Sequence, residues 1–271
     1  ILTTTTIGTV VSIIILNYKT KGMVLNCLKS IREADLAGLE YEIIVVDNAS
    51  QDSLKEILAW QYPEAIFIQN NKNLGMGRGN NIGLARARGE YLVVMNPDTM
   101  VFSDTFRQLH QFMTEHKRIG VVGPKQYNPD KTVQESCYRW HKLLTPVYRR
   151  TPLGKIKKGQ KDLARFLMRD FDKAIIKDVA WLLGSFLFIR SSALKQVGFF
   201  DQRFFMYFED TDLCRRFWQQ QWRVVYYPEA RIIHNHARAS ASTPWYKSLF
   251  SPVTRAHIIS WFKYLWKWRI K

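Results

Sequence analysis

Cysteine is scarce in this chain. Only Cys27, Cys137 and Cys214 occur in 271 residues, far apart and without paired or metal-type spacing. That argues against a disulfide-stapled or zinc-ribbon scaffold and for reduced thiols in a cytosolic setting. No uncharged apolar run reaches the length of about 18 residues that a membrane-spanning helix needs. The opening ILTTTTIGTVV lacks a basic segment before its apolar residues, so no secretory leader is expected; the missing initiator Met suggests an altered or trimmed start. There is no P-loop pattern. Gly75, Gly77 and Gly79 lie in a loop after the third predicted strand, with no third glycine in register, which argues against a dinucleotide fingerprint.

The chain does hold 46% hydrophobic residues, enough for a sizeable core. Its net charge of +17 is uneven: residues 1–120 carry 12 Lys/Arg and 12 Asp/Glu, and residues 121–271 carry 28 and 11. The second half is therefore expected to meet an anionic surface or partner. Apolar, β-branched runs at 9–16, 41–46, 65–68 and 91–95 alternate with helical patterns at 22–34, 53–60 and 74–88, where the helical period is clear only at the end of the last. Four strand–helix alternations in under 100 residues predict a Rossmann-like, mostly parallel α/β sheet flanked by helices. Ser50 or Asp52 is expected to cap the helix at 53–60.

The run Tyr91–Met95 enters Asn96-Pro97-Asp98, and Pro97 ends the strand or places it at an edge. Asp98 then lies at the carboxyl end of a buried strand, where open α/β sheets place ligands; it is suited to a metal–diphosphate or to capping the next helix. Residues 138–177 hold 12 Lys/Arg against three acids, with interleaved aromatics, and read as a mobile or surface-docking insertion. After an apolar run at 178–190, Glu209 and Asp210 precede a helical pattern beginning at Thr211. Capping needs one carboxylate; two after an aromatic run suggest a cleft with a raised pKa. His234 and His236 would face opposite sides of a strand. In the tail, Ile258, Ile259, Phe262, Leu265 and Trp266 share one side and Lys263, Lys267 and Lys271 the other, a pattern for an interfacial helix on an anionic membrane. Nucleic acid is not expected as a partner, because the basic residues lie outside the α/β core and match no reader module.

Taken together, ILNYKT (15–20), EIIVVDNAS (42–50), residues 73–99, residues 181–216 and PEARIIHNH (228–236) resemble family-2 glycosyltransferases of the GT-A fold, in particular bacterial rhamnosyltransferase-like members. The resemblance implies a GT-A domain over 1–240, with a nucleotide-binding half at 1–123 and an acceptor half at 124–240. A membrane-associating tail would follow at 241–271. It implies that Asn17, Tyr18 and Asp47 hold the nucleotide base, and that Asn73 and Asn81 bind the donor. In Asn96-Pro97-Asp98, Asn96 replaces the first carboxylate of an Asp-x-Asp motif, and Asp98 would bind Mg²⁺ or Mn²⁺ on the donor diphosphate. Asp210 would be the general base, with Glu209 orienting it or the acceptor. His234 would serve the diphosphate or metal, and His236 is a weaker candidate. The implied function is inverting transfer from a dTDP- or UDP-sugar, rhamnose first, to a lipid-linked acceptor in bacterial surface glycan synthesis, by a peripheral protein on the cytoplasmic face of the membrane. Galactofuranose or N-acetylhexosamine are alternative sugars; a basic nucleic-acid-binding module or a scaffold without turnover are alternatives of another class.

Overall fold

The structure is a computed structural model and describes residues 10–36, 38–235 and 251–270. Strands β1 (Val11–Asn17), β2 (Tyr41–Asp47), β3 (Ile66–Gln69) and β4 (Tyr91–Met95) alternate with helices α1 (Lys21–Arg32), α2 (Leu54–Gln61) and α3 (Met76–Arg86). They pair in parallel in the order β3-β2-β1-β4. Every side chain of β1 and β4 is buried, as unbroken apolar runs in a two-sided parallel sheet require. The expected alternation is present, with one change. Helix α3 begins at Met76, so Gly77 and Gly79 are helical while Gly75 remains in the turn before it, and Gly79 and Gly83 let the helix approach Leu16 and Ile14 of β1. Nor do Ser50 and Asp52 cap α2: Ser53 is its left-handed N-cap without a side-chain bond, and both residues instead accept from Asn17 Nδ2.

The same sheet continues into the second half, through β5 (Thr99–Val101), β6 (Ile119–Tyr127), β8 (Lys177–Asp178), β10 (Phe186–Arg190) and β11 (Arg223–His234). The expected division at 123/124 thus falls inside β6. Strand β10 inserts antiparallel between β4 and β6, and β6 is parallel to β11. This arrangement brings the start of β10 and the ends of β1, β2, β4 and β11 to one edge. Helices α1, α2 and α4 (Thr105–Glu115) cover one face; α7 (Ser191–Val197), α8 (Glu209–Gln219) and part of the basic insertion cover the other.

The insertion is folded rather than loose. Its strand β7 (Cys137–Tyr138) pairs with β9 (Trp181–Leu182), and α5 (Thr145–Arg150) and α6 (Lys157–Phe166) follow. Tyr138, Phe166, Leu167 and Met168 enter the core, which explains the interleaved aromatics. The C-terminal helix, Pro252–Trp268, packs on the domain through the side that carries Tyr264 and Lys267. Tyr264 is buried against Phe204 and Phe208, and Lys267 pairs inward with Asp201 and Asp212. Ile259, Phe262 and Trp266 are exposed, between exposed Arg255 and Arg269. Among the described residues no helix is long and apolar enough to cross a membrane.

Candidate active site

The edge where the strands end collects most of the residues singled out above. Asn17, the last residue of β1, is fully buried: Nδ2 donates to Asp47 Oδ1 (2.7 Å) and Oδ1 accepts from Thr20 N and Oγ1. It braces the site rather than facing a ligand. Asp47 ends β2, and its Oδ2 accepts from Ser50 N (2.9 Å) and Gln69 Nε2. Burial would raise its pKa, but the hydrogen bonds from Ser50, Gln69 and Asn17 outweigh that and hold it below the usual carboxylate range. A lone pair is left on Oδ1 for a base N–H. Beside it opens a cavity of about 310 Å³, lined among others by Asp47, Asp52, Phe67 and Gln69. Tyr18, 44% exposed, is open to stack on a base.

Asn73 and Asn81 serve the scaffold. Asn73 Oδ1 accepts from Gly75 N (2.9 Å). Gly75 has φ +81, and a Cβ there would collide with the carbonyl of Phe205, so only glycine suits this turn. The Asn81 amide closes a reciprocal pair with the backbone of Phe200 (2.8 and 3.0 Å), which ties α3 to the loop before α8.

Asp98 caps no helix, because β5 follows it at once. Its Oδ1 is buried, accepts no hydrogen bond among the described residues, and lies 3.4 Å from His234 Nε2. His234, the last residue of β11, directs Nδ1 to Gln134 Oε1 (2.7 Å). With that amide so oriented, Nδ1 carries the proton and Nε2 presents its lone pair towards Asp98. Among the described residues no cluster of three His, Cys, Asp or Glu forms. The pair therefore fits a divalent cation carried in on phosphate oxygens better than one caged by protein. Asn96 donates its backbone N–H to Ser185 O (2.9 Å). His236 lies outside the described residues.

Helix α8 starts at Glu209, two residues earlier than expected, after Tyr207 and Phe208, both left-handed at φ 69 and 67. Two consecutive aromatic residues in that region are costly and fix how the dyad enters the cleft. Asp210 Oδ2 accepts from Gly184 N (2.9 Å) and Oδ1 from Thr211 N (2.7 Å). Glu209 Oε2 is buried and has no hydrogen-bond partner among the described residues. Burial, and then the charge of Asp210, raise Glu209 to about 8. Burial raises Asp210 as well, against the bonds from Gly184 and Thr211 that favour its ionised form. The shared proton therefore resides on Glu209, and Asp210 is the carboxylate.

The link between the two halves of the site is the turn Gly184-Ser185. Gly184 N binds Asp210, while Ser185 O accepts from Asn96 N and from Thr99 Oγ1. Ser185 Oγ donates to Gln126, and Gln126 O accepts from the N–H of Gln134, the partner of His234. Gln126 and Gln134 carried no sequence signal: they belong to no motif and act only on other side chains.

A family model described as glycosyl transferase family 2 matches residues 12–179. The chain belongs to glycosyl transferase family 2. Within that family it is 28% identical over 221 residues to the N-acetylglucosaminyl-diphospho-decaprenol L-rhamnosyltransferase of Mycobacterium tuberculosis, covering 74% of this chain and 69% of the relative. It is 29% identical over 244 residues to the rhamnosyltransferase WbbL of Escherichia coli, covering 85% and 84%. The fold is similar to that of the mannosyltransferase PcManGT of Pyrobaculum calidifontis, solved with GDP-Man and Mn²⁺, at TM-score 0.58 and 17% identity over 95% of this chain and 70% of that one. The family-2 chain is a glycosyltransferase with the expected GT-A architecture.

Proposed function

We propose that this glycosyltransferase moves a sugar, with inversion, from a nucleotide-diphosphate donor to a lipid-linked glycan acceptor, with dTDP-rhamnose as the first donor to test. The observation that carries the reading is the pair of carboxylates on either side of the Gly184-Ser185 turn: Asp210, hydrogen-bonded to Gly184 N, and Asp98, whose buried Oδ1 accepts no hydrogen bond among the described residues and lies beside His234. The relatives named as rhamnosyltransferases support the choice of sugar, and the decaprenol relative that of acceptor.

Tyr18 and Asp47 would hold the base and Asp98 with His234 the diphosphate end. Asp210 would take the proton of the attacking acceptor hydroxyl, and its raised pKa makes it a better base near neutral pH. Protonated Glu209 keeps a second negative charge away from that oxygen and would orient Asp210 or the acceptor. With one base and no nucleophile assigned to the opposite face, a single displacement inverts the anomeric carbon. A bound Mg²⁺ or Mn²⁺ would supply Lewis-acid neutralisation of the leaving diphosphate.

The exposed row Arg255, Ile259, Phe262, Trp266 and Arg269 supports a peripheral position on an anionic cytoplasmic leaflet, apolar at its centre and basic at its rim. Two variants test the central reading. Asp210→Asn should lower kcat by roughly a hundred- to ten-thousand-fold while leaving the donor Kd unchanged. Asp98→Asn should weaken metal-dependent donor binding. If Asp210→Asn lost donor binding as fully as turnover, the base assignment would fail; transfer that runs equally well in chelator would remove the metal from the reaction.

A further inference from the structure

Next to the loop that leads into the dyad lies a cationic cluster that the transfer chemistry does not use. Arg149 and Arg150 end α5, and His257 comes from the C-terminal helix; both elements close on Tyr207, the left-handed residue before Phe208 and Glu209. The Arg150 guanidinium lies 5.8 Å from the Tyr207 ring centre, and the His257 ring 4.9 Å from it. Arg149 lies 5.6 Å from the Tyr138 ring. His141 is packed between Trp181 and Phe208, with ring centres 5.3 and 5.0 Å away, and its buried Nδ1 has no hydrogen-bond partner among the described residues.

What the cluster lacks is a counter-charge. Of the other insertion arginines, Arg139 and Arg165 pair with Asp170 and Asp162. Arg149 and Arg150 have no ion pair among the described residues, and residues 1–9 and 236–250 contain no Asp or Glu to supply one. Partly buried Arg150 holds its charge beside exposed Arg149 at a desolvation cost that a bound anion would offset. Burial and the Arg149 charge already lower Arg150, and burial with the neighbouring cations pushes His141 and His257 down to about 3, so both imidazoles are neutral. Charge at this site comes from the arginines alone, which are suited to bidentate phosphate contacts.

We propose that Arg149 and Arg150, with His141 and His257, form a second anion site that takes the phosphate or diphosphate ester of the acceptor. The donor diphosphate would lie on the other side of the dyad, at Asp98. The site's place in the reaction rests on the proposed transfer to a lipid-linked acceptor, but its ligand chemistry does not. Exposed Leu143 and Leu144, at the start of α5, offer apolar surface to a chain leaving such a phosphate.

The test is binding, measured by calorimetry in chelator so that no metal holds a phosphate at Asp98. Inorganic pyrophosphate, geranyl diphosphate and geraniol would be titrated into the wild type, R149Q/R150Q, R149K/R150K and Asp98→Asn. Expected is diphosphate binding weakened about tenfold or more in the Gln pair, partly kept in the Lys pair and unchanged in Asp98→Asn, with none for geraniol. Tighter binding of geranyl diphosphate than of pyrophosphate identifies a lipid source; equal binding identifies a site for free phosphate and overturns the acceptor assignment. Equal affinity in wild type and Gln pair, or loss only in Asp98→Asn, overturns the site itself. None of these readouts needs turnover, so an inactive protein that still binds in this way would count against the proposed transferase reaction and not against the site.

Discussion

At the scale of single residues, the sequence places two carboxylates side by side and says nothing about how they divide the work. The division comes from hydrogen bonds to backbone groups, one of them distant in sequence. Asp210 has Gly184 N and Thr211 N; the buried Oε2 of Glu209 has no hydrogen-bond partner among the described residues. A raised folded-state pKa has a definite consequence for stability. Glu209, whose ordinary value is 4.5, is raised to about 8, so the native state holds its proton more tightly than the unfolded chain does. Its contribution is fully present below the ordinary value and is lost as pH rises through the folded one. Glu209→Gln removes that titration and nearly preserves shape. Its Tm relative to wild type should therefore climb as pH rises across that interval, whereas a pH-independent difference would contradict the assignment of the proton to Glu209. Gly184→Ala tests the other member. A Cβ there would lie 3.2 Å from Asp210 Cβ, so kcat should fall as the carboxylate is displaced, with the donor Kd unaffected. A Kd that rises as kcat falls would show that the turn serves the donor instead.

At the scale of elements, periodicity identified the C-terminal helix but not its inward face. Both sides of that helix carry aromatic residues, and the choice is made by a partner outside it: Asp212, fully buried on α8, draws Lys267 (2.6 Å) and Trp268 Nε1 (3.0 Å) inward. The α3 helix was misread for a related reason. Its glycines signal a loop by propensity, yet close packing on Leu16 and Ile14 requires them in a helix. The strands were legible because burial on both faces leaves unbroken apolar runs. These placements separate two kinds of variant. Lys267→Met removes one charged partner of Asp212, which keeps Arg216, and should cost about 2 kcal/mol, a fall in Tm on the order of 5 °C. Phe262→Ser with Trp266→Ser alters side chains that are 60% and 77% exposed, so Tm should hold while sedimentation with anionic vesicles drops. Undiminished sedimentation would remove this face from the membrane contact. Deleting the helix would be a poorer experiment, since Ser260 and Lys263 also hold the backbone of Met206 and Arg203 in the loop before the dyad.

At the scale of the whole molecule, the charge asymmetry and the sheet topology act together. The antiparallel insertion of β10 could not be read from an apolar run, which looks the same in either direction. That reversal brings Gly184-Ser185 from the basic half to the edge formed by the acid–base-balanced first half. Donor-side residues thus sit mainly where charge is balanced, and the excess, 28 Lys/Arg against 11 Asp/Glu after residue 120, surrounds the side proposed for the acceptor. Exposed charges a Debye length apart are screened, and that length shrinks from about 10 Å at 0.1 M salt to about 3 Å at 1 M. Association with anionic vesicles should therefore weaken steeply over that range and be weaker still for neutral lipid. The affinity for a pyrimidine diphosphate with metal should change much less, because in the proposed reading Asp47 and Asp98 would act from buried or partly buried positions. Parallel loss of both affinities would place the excess charge at the donor site. Salt-insensitive binding, equal on neutral and anionic vesicles, would leave the apolar ridge as the contact and the basic half without a role at the membrane.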